Sequence, residues 1–135
     1  MKKLYTFIVI SSICIITFIS SCTPASAATN NWPGFQDVTI GLTFNKAGKA
    51  TFYTSVIPSK DSYYSKISMK LQRYSNGSWK TLTSGSHGDT SIHAYSRTYY
   101  VTKGTYRVYS TITIYKSKGG TKVNSDTFTY KNKYN

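Results

Sequence analysis

Glutamate is absent from this chain, and its four acidic residues, all aspartates, face seventeen lysines and arginines. That scarcity removes the raw material of most acid–base chemistry. A hydrolase needs a paired carboxylate, or a base beside a nucleophile, and the sequence offers only Asp37, Asp61, Asp89, Asp126, His87 and His93. No glycine-rich phosphate loop opens a helix, and no G-x-S-x-G or metalloprotease motif occurs. No enzymatic activity, catalytic residue or cofactor is therefore expected. Cysteine is nearly absent too: Cys14 and Cys22 are the only two. Sustained apolar spacing at three and four residues is also lacking, which argues against a helical domain.

The N-terminus is a different text from the rest. Met1-Lys2-Lys3 precedes an apolar run reaching Ile19, and Ala25-Ser26-Ala27 is followed by Ala28, the layout of a secretory leader with an A-x-A cleavage site. The run falls short of the about 20 apolar residues that a membrane span wants. Residues 1–27 are thus expected to be removed and the remainder exported, in the manner of a Gram-positive secreted protein. A competing reading takes Ile19-Ser20-Ser21-Cys22 as a lipobox, which would anchor the chain through a lipidated Cys22. Cleavage after Ala27 takes both cysteines with it, so the mature domain must stand on its core without a disulfide.

What remains is one domain's worth of chain, and it alternates. Short runs of Val, Ile, Thr, Tyr and Phe recur at spacings near ten, separated by turn residues. The pattern predicts an all-β domain of seven antiparallel strands over 38–45, 49–57, 66–74, 78–83, 92–101, 105–117 and 122–131. A loose N-terminal segment, 28–37, and a C-terminal tail, 132–135, flank it. Val38, Ile40, Leu42 and Phe44 share one face of the first strand, and Ile67, Met69 and Leu71 one face of the third. Asn76-Gly77 marks a hairpin turn of positive φ. Residues 59–65 and 85–90 read as polar loops.

Three stretches, Met69-Lys70-Leu71-Gln72-Arg73 with Asn76-Gly77-Ser78-Trp79-Lys80, Val101-Thr102-Lys103-Gly104, and Thr105-Tyr106-Arg107-Val108, together resemble the LQR…NGxW…GxYRV pattern of bacterial immunoglobulin-like and fibronectin-like modules. The chain from 38 to 130 also resembles a group of short secreted Gram-positive proteins of unassigned function. The resemblance implies a seven-stranded antiparallel immunoglobulin-like or fibronectin-like β-sandwich, with Tyr106 as a tyrosine corner whose hydroxyl bonds nearby backbone. It implies little about activity, because such sandwiches host many functions.

The strongest functional hint is charge. The net charge is +13, and +11 once Lys2 and Lys3 leave with the leader. Such a balance speaks of partners rather than of fold. Strand alternation puts Lys66, Lys70 and Gln72 on the outward face of the third strand, and Arg107, Tyr109 and Tyr115 on that of the sixth. Sandwich topology makes these strands neighbours, so the six residues form a candidate binding patch of cations and tyrosines, suited to an anionic polymer such as teichoic acid or acidic polysaccharide. The same alternation also suits a mere sheet former, since Tyr and Thr pair well across strands. Trp79 reads as a hairpin anchor, and Tyr63-Tyr64 as exposed aromatics. His87, Asp89 and His93 lack a fourth ligand at sensible spacing, so no metal site is expected. A cationic effector acting on anionic membranes is the competing functional expectation. A monomer is expected, with lysines such as Lys49, Lys122 and Lys131 guarding the sheet edges.

Overall fold

Branched and aromatic residues alternating with hydroxyl residues give each segment one apolar and one polar face, and two such faces can only be satisfied against each other. The computed structural model describes residues 25–26 and 32–135. The leader, the lipobox and both cysteines lie outside the described residues, Ala25 and Ser26 excepted. The elements are β1 (Ala25–Ser26), β2 (Phe35–Phe44), β3 (Lys49–Pro58), β4 (Tyr64–Ser75), β5 (Ser78–Thr90), β6 (His93–Tyr100), β7 (Gly104–Tyr115) and β8 (Lys122–Tyr134). All pairings are antiparallel. Seven long strands, with the two-residue β1 added, form a sandwich. Sheet A has the order β1-β2-β3-β6, and sheet B the order β5-β4-β7-β8. The all-β class and the seven strands are those the alternation predicts.

The interior divides into two apolar clusters. Ile40, Leu42, Phe52, Met69, Leu71 and Tyr106 anchor one, and Phe35, Val38, Val56, Ile67, Ile112 and Ile114 the other. Between them Thr54 and Ser110, both fully buried, satisfy each other: the Thr54 hydroxyl donates to Ser110 Oγ at 3.0 Å. Tyr106 is buried, and its hydroxyl donates to the carbonyl of Thr102. At the two-residue hairpin between β4 and β5, Asn76 and Gly77 take φ of 51° and 79°, the conformation that the Asn-Gly pair supplies at low cost.

The sandwich is larger than the alternation alone suggests. Residues 32–37 are not a loose lead-in: β2 starts at Phe35, which is buried, and Trp32 stacks on it at 4.5 Å and meets Phe128 edge to face at 4.8 Å. Residues 132–134 are likewise strand, with Tyr134 stacked on Phe44 at 5.4 Å and Asn132 donating to the carbonyl of Leu42 at 2.8 Å. Aromatic anchors at both ends hold segments that composition alone marks as tails.

Residues 85–90 are not a loop either. They complete β5, whose polar Ser-Gly-Ser-His-Gly-Asp sequence is kept in the ladder by backbone pairing to β4. A bulge makes this possible: Leu71 pairs with Thr83 but Gln72 with Thr81, leaving Leu82 as the extra residue, half-buried against the core. One extra residue shifts the alternation of everything after it. Ser84 and Ser86 therefore share register with outward Lys70 and Ser68, while His87 pairs with inward Ile67.

Candidate binding face

The two outer faces of the sandwich follow directly from the strand registers. On sheet B the outward positions carry Lys66, Lys70, Arg107, Lys122, Lys131 and Lys133. The two acids of that sheet, Asp89 and Asp126, pair with inward Ser65 and Ile112, and Asp126 is tied to Trp32 Nε1 at 3.0 Å. On sheet A the outward positions of the described residues are hydroxyl-rich, among them Thr39, Thr43, Thr51, Tyr53 and Ser55, and the charged ones are Asp37 and Lys49. The cationic excess is thus one-sided. Like charges on one sheet are tolerated because each lysine head stays in water, where screening within about 8 Å weakens the repulsion.

All six residues that alternation nominates lie on the face of sheet B, but they do not form one cluster. Gln72 and Arg107 are register partners, and Arg107 Nε donates to Gln72 Oε1 at 2.8 Å, while Gln72 Nε2 donates to Thr81 Oγ1 at 3.1 Å. The guanidinium lies over the Trp79 ring at 4.4 Å from its centroid and 5.4 Å from that of Tyr109. Tyr74 tilts against Trp79 at 5.2 Å, and the Lys131 ammonium lies 6.0 Å from the same indole. An arginine held at Nε by an amide and stacked on an indole has its remaining donors fixed in direction, the arrangement that suits a planar or tetrahedral anion.

Trp79 is therefore more than a hairpin anchor. The signal was in the turn: in a two-residue Asn-Gly hairpin, positions 74 and 79 pair and share the face of Gln72. Tyr115 stands at the opposite end of the face, paired with Tyr64 at 6.2 Å between ring centroids. The Tyr64 hydroxyl lies directly over Gly88, in space that any Cβ at that position would occupy. Lys66 and Lys70 stand between the two aromatic ends. Beside Lys70 a shallow groove of about 270 Å³ is floored by Ser68, Ser84, Gly85 and Ser86. The two serines from β5 reach this face only because of the bulge at Leu82, which no residue pattern announces.

His87 and His93 meet on another side of the molecule, in the seam where β5 of sheet B faces β6 of sheet A. Their rings are 5.5 Å apart, and His87 stacks on Tyr95 at 5.8 Å. His93 Nδ1 lies 3.4 Å from both Ser65 Oγ and the Ser91 carbonyl, and its Nε2 is buried with no hydrogen-bond partner. Burial first, and then the neighbouring His87, hold the His93 pKa below its ordinary 6.5, against opposing contributions from the Ser91 carbonyl and Asp89. Among the described residues no set of three His, Cys, Asp or Glu is placed to hold a metal ion.

No protein-family model, no curated protein and no solved structure matches this chain.

Proposed function

We propose that this protein is a secreted, non-catalytic binding protein, which adheres through the outer face of sheet B to anionic polymers of a cell wall or matrix, teichoic acid or acidic polysaccharide. The observation that carries the reading is the one-sided charge. Six cations project from one face with no carboxylate among them, and the guanidinium of Arg107 is stacked on Trp79 within that face. A merely soluble surface needs no such segregation, since mixed signs keep a protein in solution equally well. The finer fold reading, an immunoglobulin-like or fibronectin-like module, is part of the same proposal. It is supported by the Tyr106 hydroxyl bonding backbone four residues upstream, and by a division of long strands in which β5 stays beside its hairpin partner β4.

The test is retention of the purified protein on isolated Gram-positive walls, before and after removal of teichoic acid, across a salt series. Binding should weaken steeply with salt. Replacing Lys66, Lys70 and Lys131 together by Glu should cost at least about tenfold in affinity, whereas the same three-fold exchange at Lys46, Lys60 and Lys118, all in turns, should cost far less. Equal losses would leave net charge without a face. Retention untouched by salt, or a preference for anionic vesicles over walls, would overturn the polymer reading.

A further inference from the structure

Resting on the reading of sheet B as the binding face, we infer that its ligand is a polysaccharide strand whose sugar rings carry the anionic groups, rather than an acyclic polyanion. The face is a track with two raised ends. At one end stand Trp79, Arg107 and Tyr109, at the other Tyr64 and Tyr115. Tyr109 and Tyr115 are six residues apart on β7, so the ends are separated by about 20 Å at the rise of an extended strand. The floor between them is low. Ser68, Ser84 and Ser86 line the groove beside Lys70, and Thr111 pairs with Ser68 across β4 and β7.

Each part matches a different feature of an acidic sugar chain. Aromatic rings at the ends offer flat apolar surface to the C–H faces of pyranose rings. The serine hydroxyls are free to bond sugar hydroxyls, unlike Thr111 and Thr113, whose hydroxyls already meet Thr127 and Ser125 at 3.1 and 3.0 Å. Arg107 presents oriented donors to a carboxylate or a phosphate, and Lys66 and Lys70 add charge that is not oriented. A polyanion without rings would use the cations and leave the aromatic ends and the serine floor idle. Gly88 belongs to the same device, because only a residue without Cβ leaves the Tyr64 hydroxyl its place across the strand.

The experiment compares three immobilised probes across a salt series: polygalacturonate, which has rings and carboxylates; inorganic polyphosphate, which has charge without rings; and dextran, which has rings without charge. Polygalacturonate should hold the protein at salt concentrations that release it from polyphosphate, and dextran should not retain it. Trp79→Ala should weaken polygalacturonate binding by roughly tenfold, the scale of one lost aromatic stack, and leave polyphosphate binding nearly unchanged. Tyr64→Ser, a change on a half-buried ring at the far end, should act in the same sense, and urea unfolding of both variants separates lost binding from lost folding. Equal salt resistance of the two anionic probes would overturn this inference and leave adhesion by charge standing. Failure of both to bind at low salt would overturn adhesion by charge as well. Aromatic variants that reduce both anionic probes in parallel would also sink the ring-specific reading.

Discussion

The two outer faces of this sandwich are built from the same residue classes and differ in what they do with them. Each has Thr and Ser along its strands, and each has tyrosine lying beside glycine: Tyr53 covers Gly41 on sheet A, and Tyr64 covers Gly88 on sheet B. On sheet A the ring closes over a buried glycine and the surface stays neutral. On sheet B the aromatics stand at the ends, with Lys66 and Lys70 between them and Arg107 and Lys131 against Trp79. The difference teaches that sheet-forming chemistry alone does not require the sheet B pattern, because sheet A, built on three long strands where sheet B has four, forms its face without it. Cross-strand Tyr and Thr pairs explain both faces; segregated charge and a stacked arginine are additional on one.

The comparison can be broken most severely from the inside, at the hydroxyl pair that lies between the two sheets. Thr54→Val removes the donor to Ser110 and should cost about 1–3 kcal/mol in urea unfolding, the penalty for leaving a buried hydroxyl unsatisfied. The double change Thr54→Val with Ser110→Ala should recover most of that loss. Both faces should fail together in the single variant, since the pair belongs to neither. A single variant as stable as the parent would show that the hydroxyls are satisfied some other way.

A sharper cut separates the faces. Trp79→Ala and Tyr53→Ala each truncate a half-buried ring and should each cost about 1–2 kcal/mol of stability. Only the first should weaken retention on an acidic polysaccharide. Parallel losses of retention would mean that the faces are not distinct in function. Smaller again is Arg107→Lys, which keeps the charge but loses the planar fork and much of the stack on Trp79. Stability should fall by about 0.5–1 kcal/mol, and polysaccharide affinity by several-fold.

Much of this arrangement was legible in the sequence, and the part that was not has identifiable causes. Alternation placed Ile67, Met69 and Leu71 inside and Lys66, Lys70 and Gln72 outside, as the burial pattern has it, because a strand buried on one side repeats with a period of two. It also put Arg107, Tyr109 and Tyr115 on the same face. It failed at 85–90, where two glycines, two hydroxyl residues, His87 and Asp89 read as a loop on local propensity. There the ladder to β4 overrides propensity, and the bulge at Leu82 resets the face. Alternation also failed at Trp32 and Tyr134, whose docking partners Phe128 and Phe44 lie far away along the chain. Long-range contacts of that kind leave no local periodicity. The charge segregation was only half visible, since lysines on β8 join Lys66 and Lys70 through a strand order that the residues do not state.

The subtlest prediction concerns the seam rather than the faces. His93 is held neutral by burial beside His87, with Asp89 and Tyr95 the other titratable side chains near the pair, and its pKa is lowered from 6.5. A histidine whose folded pKa lies below its unfolded one takes up its proton more readily in the unfolded chain. Its contribution to stability is therefore complete above pH 6.5, declines as the pH falls through that value, and levels off below the lowered pKa. The loss should be local as well as global, because the pair sits where the edge strands β5 and β6 approach. The protection of β6 amides, taken relative to the intrinsic exchange rate at each pH, should fall between pH 7 and pH 5.5 before that of β2, whose seam with β8 is closed by Trp32, Phe128 and Asn132 instead. His93→Leu removes the titration and should flatten the stability profile over that interval. A variant that keeps the full parental slope would show that His93 is not the group that couples the two sheets to pH.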